Sequence, residues 1–88
     1  MDRSELRLML ERSKIRREVY DLTGRECTEC YRLEHIAGGW VVYYSERGVR
    51  SGERLFPSED EACRYLAERL LTDPGAQETY PRYPRADN

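Results

Sequence analysis

The chain has 88 residues, 36% of them charged and 39% apolar, with a net charge of −2. That length holds one small domain around a modest core, and no apolar run approaches the roughly 20 residues of a membrane span. Charge is spread without a basic patch: residues 1–26 carry seven Lys/Arg against six Asp/Glu, residues 27–57 four of each, and residues 58–72 two against four; the electrostatic footprint of a nucleic-acid binder is absent.

The first twenty residues, MDRSELRLMLERSKIRREVY, interrupt their apolar positions with charge every one or two residues, which is not the pattern of a signal peptide. Three cysteines, an odd number, argue against a secreted disulfide framework. The expectation is a cytoplasmic chain with no membrane partner. Leu6, Met9, Leu10, Ile15, Val19, Tyr20 and Leu22 recur at mostly helical spacings, with Ser4 as the N-cap. They predict a helix from about Glu5 to Tyr20, stopped by Thr23-Gly24, although Glu11 to Ile15 is the least regular part of the stripe. Residues 24–29 form a polar connector.

Cys30 to Ile36 alternates as a first strand, and Gly38-Gly39 supplies a turn. Trp40 to Ser45, WVVYYS, is rich in aromatic and β-branched residues and reads as a second strand. Glu46-Arg47-Gly48 then fits a three-residue hairpin loop whose last residue is left-handed, because a two-residue turn would force Arg47 to positive φ. This pairs Ser45 with Val49 and makes Val49 to Phe56 the third strand. One face then carries Trp40, Val42, Tyr44, Arg50, Arg54 and Phe56, the other Val41, Tyr43, Ser45, Val49, Glu53 and Leu55. Both bear apolar residues, and a one-residue slip would exchange the third strand's assignments.

Pro57-Ser58-Glu59-Asp60-Glu61 is a helix start, with Ser58 as cap and Glu61 placed for a capping box. Three carboxylates in the first turn complement the positive helix end. Ala62, Cys63, Leu66, Ala67, Leu70 and Leu71 form one apolar stripe, and Asp73-Pro74-Gly75 ends it. The resulting expectation is an α+β fold, a two-layer α-β-β-β-α sandwich with a three-stranded antiparallel sheet and two helices, over residues 1–72. Residues 73–88 are expected as an extended or disordered tail.

The chemistry-bearing residues do not converge. Cys27-Thr-Glu-Cys30 with His35 and Cys63 could make a zinc site, but the second half lacks paired spacing and Cys63 lies on an apolar stripe. The pair opens a strand and not a helix, which is the wrong context for a redox motif. His35, the single histidine, has no nucleophile beside it. No catalytic residue, metal site or cofactor is expected. The residue types that do cluster are those of protein-binding hot spots, aromatic and arginine. Tyr44, Glu46, Arg47 and Arg50 of the hairpin, with Glu59 and Asp60 of the acidic turn, are the candidate partner-binding residues. The bland readings are half-core aromatics, ordinary strand surface, and an acidic turn that serves its own helix.

Helix, three strands, helix is also the order of double-stranded RNA-binding domains. Those carry lysines at the start of the second helix to grip phosphates, and here that turn reads SEDEA. The run from Trp40 through YYSERG and SEDEA to Leu66 resembles small bacterial immunity proteins of polymorphic toxin systems, over about residues 30–72. The resemblance implies a non-catalytic cytosolic protein that binds and neutralises a cognate toxin domain, expected to be basic. Two alternatives stand beside it: a nucleic-acid-associated or regulatory module of double-stranded-RNA-binding topology, and a small zinc protein.

Overall fold

The computed structural model describes residues 1–23 and 29–77. Helix α1 spans Arg3–Arg12 and is capped by Asp2 and not by Ser4. The Glu5 N–H donates to Asp2 Oδ1 and the Asp2 N–H to Glu5 Oε1, both at 2.9 Å, a reciprocal capping box. The helix ends eight residues before the expected Tyr20. Lys14 adopts φ 62°, and its N–H reaches the Glu11 carbonyl at 3.1 Å while the Ile15 N–H reaches that of Leu10 at 3.0 Å. This is a Schellman stop with a lysine in the place glycine usually holds, sealed by Ile15 and Leu10 in the core. The irregular stretch of the helical stripe is therefore its terminus.

Beyond it, a 3₁₀ turn at Arg17–Val19 leads into β1, Tyr20–Asp21, followed by β2 (Glu29–Ile36), β3 (Gly39–Glu46), β4 (Val49–Phe56) and α2 (Glu59–Leu71). The sheet order is β1-β2-β3-β4, antiparallel except that β1 runs parallel to β2. The fold is α+β as expected, with a fourth short strand added at one edge. Tyr20 and Leu22 are buried, but from the sheet edge and not from a helix. Helix α2 lies on the sheet and α1 packs against α2. Leu6 and Leu10 from α1, Ala62, Cys63, Leu66, Ala67 and Leu70 from α2, and Leu33, Trp40 and Val42 from the sheet make the core. Ser58 Oγ accepts from the Glu61 N–H at 3.2 Å and starts α2 where its sequence says.

The packed chain continues past residue 72. Pro74–Ala76 form a 3₁₀ turn, Ala76 is buried, and its carbonyl accepts from the Arg16 N–H at 2.8 Å. Arg16 Nη1 donates to the Gly75 carbonyl at 2.7 Å, and Ile15 bridges to Gln77. Residues 73–77 are thus tied to the segment that follows α1, a long-range contact that the proline-broken composition conceals. The remainder of the expected tail, 78–88, lies outside the described residues.

Both hairpin loops have two residues. In the first, Ile36 pairs with Gly39 around Ala37-Gly38, and a Cβ on Gly39 would stand 2.5 Å from the Phe56 carbonyl oxygen, so the position needs glycine. In the second, Glu46 pairs with Val49 and not Ser45. Arg47 and Gly48 take φ 52° and 83°, the pair of left-handed residues of a type I′ turn, whose twist matches the strands. The expected three-residue loop is corrected by one position. The pairing then shifts: Tyr44 opposes Ser51, but Val42 opposes Arg54. Gly52, at φ 65°, is the extra residue of a β-bulge that restores the expected faces beyond it. Tyr31, Leu33, Trp40, Val42, Tyr44, Ser51 and Phe56 consequently face the helices. Arg32, Glu34, Val41, Tyr43, Arg50, Glu53 and Leu55 face the other way.

Candidate functional site

The β3–β4 hairpin gathers four of the six candidate residues, but on two faces. Glu46 and Arg47 are exposed at its tip. Tyr44 is half-buried on the helix side, its ring edge-on to Tyr31 with centroids 5.1 Å apart. Burial, with the Glu29 and Glu46 carboxylates nearby, pushes its phenol above its usual pKa. Arg50 stands on the opposite face, where its guanidinium carbon lies 4.3 Å from the centre of the Tyr43 ring and Nη1 lies 3.0 Å from Glu53 Oε2. Its partner on that face is Tyr43, and not Tyr44 as the expected register implied.

Tyr43 anchors a row of charges across the sheet. Its hydroxyl donates to Glu34 Oε2 at 2.5 Å, Glu34 Oε2 lies 3.6 Å from Arg32 Nη2, and the same Nη2 lies 3.5 Å from Asp21 Oδ2 on β1. Burial first, and then the hydrogen bond to Glu34, raises the Tyr43 phenol pKa, so it remains a neutral donor at any physiological pH. Alternating charge along Asp21, Arg32, Glu34, Arg50 and Glu53 leaves the row nearly neutral. It orients side chains and offers no nucleophile with an adjacent base. On the same face Leu55 is 72% exposed and Arg50 is exposed as well; Val49, 66% exposed, and Arg54, stacked over Tyr65 of α2, are on the helix side of β4. The sequence places Tyr43 and Arg54 in the same aromatic and arginine cluster without making them candidates, and it does not single out Val49 or Leu55. Their alternation was visible, but the face each takes depends on the bulge.

The other two candidates lie elsewhere. Strand β4 runs seven residue steps between the hairpin tip and the α2 end, roughly 23 Å at about 3.3 Å per residue, so Glu59 and Asp60 are not beside Arg47. Glu59 Oε2 accepts from the Arg3 N–H at 2.9 Å and lies 3.4 Å from Arg3 Nε. Asp60 Oδ1 pairs with the Met1 ammonium group and with Arg64 Nε, the latter at 2.8 Å. Those hydrogen bonds hold the Asp60 carboxyl below its usual pKa. The acidic turn thus staples α1 to α2, a structural role that goes beyond the service to its own helix expected from the sequence. Next to this staple, the imidazole of His35 stacks on Trp40, 4.2 Å between centroids and 11° between planes, and the Arg3 guanidinium lies 5.0 Å from the Trp40 ring.

Cys63 is a buried free thiol raised to about 11 by desolvation, and Cys30 is buried and disulfide-bonded. Cys27 lies outside the described residues. Among the described residues no group of three or more His, Cys, Asp or Glu side chains is placed to hold a metal ion, and no helix is long and apolar enough to cross a membrane. No protein-family model, no curated protein and no solved structure matches the chain.

Proposed function

We propose that this chain is a non-catalytic binding protein of the immunity type, which captures a toxin domain in the cytosol through its β3–β4 hairpin. The observation that carries the reading is the makeup of that hairpin. On the face turned away from the helices Arg50 and the exposed Leu55 stand beside a well-anchored Tyr43, with Arg47 exposed at the tip, which is the aromatic, arginine and aliphatic mixture of a binding centre. Val49 and Arg54, also exposed, lie on the helix side of β4. The resemblance of YYSERG to immunity proteins falls on the same hairpin. Steering toward a basic partner then rests on the overall charge of −2 and not on Glu59 and Asp60, whose carboxylates already hold cations.

The test is co-expression with the toxin-like product of a neighbouring gene, with growth rescue and a one-to-one pull-down as readouts. Arg50→Ala and Leu55→Ala should each weaken binding, by at least about 2 kcal/mol if the side chain is a desolvated hot spot. Glu59→Ala and Asp60→Ala should leave affinity nearly unchanged. No rescue and no complex, together with salt-sensitive binding to RNA, would replace this reading with the nucleic-acid one.

A further inference from the structure

The outer face of α1 carries a stripe that is complementary to itself. Glu5, Leu8, Met9 and Arg12 follow one another at helical spacing and, with Met1, Ser13 and Arg64 of α2, line an open cleft of about 620 Å³. Leu8 is 49% exposed and Met9 half-buried, so the floor is apolar. Its two ends carry opposite charges. Glu5 uses Oε1 for its cap bond, with the Met1 ammonium group 3.9 Å from the same oxygen, and its side chain is 68% exposed; Arg12 is exposed and joins no ion pair among the described residues.

We propose that this face pairs with the same face of a second copy, the two α1 helices running antiparallel about a two-fold axis that passes between Leu8 and Met9. In that arrangement Glu5 meets Arg12 of the other copy, Arg12 meets its Glu5, Leu8 meets its Met9, and Ser4 meets its Ser13. Every pair is made twice, as an isologous interface requires. Charge complementarity selects this occupant and this direction: a parallel pair would set Glu5 against Glu5 and Arg12 against Arg12. Two three-turn helices, each about 15 Å long, bury less than the roughly 1,200–2,000 Å² of a standard interface, so the dimer is a weak one. The β3–β4 hairpin lies on another part of the molecule, so the dimer leaves it free, and the proposal stands apart from the identity of any partner.

Sedimentation velocity of the full chain, from about 5 to about 500 µM, reads it directly. The expected result is a concentration-dependent monomer–dimer equilibrium that weakens with salt. Leu8→Glu should give monomer throughout, and Arg12→Glu should raise the dissociation constant at least about tenfold. The double variant Glu5→Arg/Arg12→Glu should recover the dimer, since swapping both charges preserves each antiparallel pair. Leu8 is exposed and Asp2 still caps α1 when residue 5 is arginine, so these variants keep the fold, which far-UV circular dichroism verifies. A wild-type chain that stays monomeric, a dimer that Leu8→Glu leaves unchanged, or a double variant no better than Arg12→Glu would each overturn the proposal.

Discussion

Replacing Arg47 by asparagine tests the hairpin register through one side chain. Arg47 and Gly48 form the whole loop, at φ 52° and 83°. For an ordinary L-residue the left-handed conformation is disfavoured by roughly 1–2 kcal/mol, and asparagine is among the residues that adopt it with least strain. Arg47 is exposed, and its guanidinium makes no hydrogen bond or ion pair among the described residues, so the substitution removes no contact. Arg47→Asn should therefore stabilise the fold by about 0.5–1 kcal/mol, a rise in melting temperature of roughly 2–8 °C for a domain of this size. Urea unfolding monitored by Trp40 fluorescence measures it, with Arg47→Ala as the control that shortens the side chain without easing the backbone. In a three-residue loop closed by Ser45 and Val49, position 47 would be right-handed and asparagine would bring no gain. A midpoint for Arg47→Asn equal to or below that of Arg47→Ala would refute the two-residue turn, and with it the face assigned to Arg50.

Leu66 is fully buried in the centre of the core, and Leu66→Ala should cost about 2–5 kcal/mol in denaturant unfolding; a neutral result would mean that α2 presents another face to the sheet. Asp60 has a folded-state pKa depressed by the Met1 ammonium and Arg64, so its contribution is present above its unfolded value of about 3.9 and is lost as pH falls through the folded value. Asp60→Asn should lower stability at neutral pH and flatten the decline below about pH 4, read from melting curves across an acid series. Cys63, with its thiol raised to about 11, should resist alkylation at pH 8 in the native protein and react once denaturant exposes it, because the thiolate is the nucleophile. Rapid native labelling of Cys63, located by peptide mass mapping, would contradict its burial.

Local chemistry determined a large part of this protein. The three long strands are legible to within a residue or so, since alternation and the glycines that end each run act over a few neighbours. The start of α2 at Ser58 and the inward stripe Ala62, Cys63, Leu66, Ala67 and Leu70 are equally local. What tertiary structure decided lies where one sequence pattern serves two periods or where the partner is remote. Val19, Tyr20 and Leu22 fit helical spacing, yet Lys14 closes α1 and Tyr20 pairs with Tyr31, a parallel contact that only the assembled sheet provides. The strain at Arg47 argued for a longer loop when judged alone; in the sheet, the twist of the strands favours the type I′ turn, and the bulge at Gly52 returns Arg54 and Phe56 to α2. The acidic turn looked like free charge because its cations, Met1 and Arg3, are more than fifty residues away in sequence. Register, remote pairing and the occupancy of charges are set by contacts between elements, and such contacts leave no period in the chain.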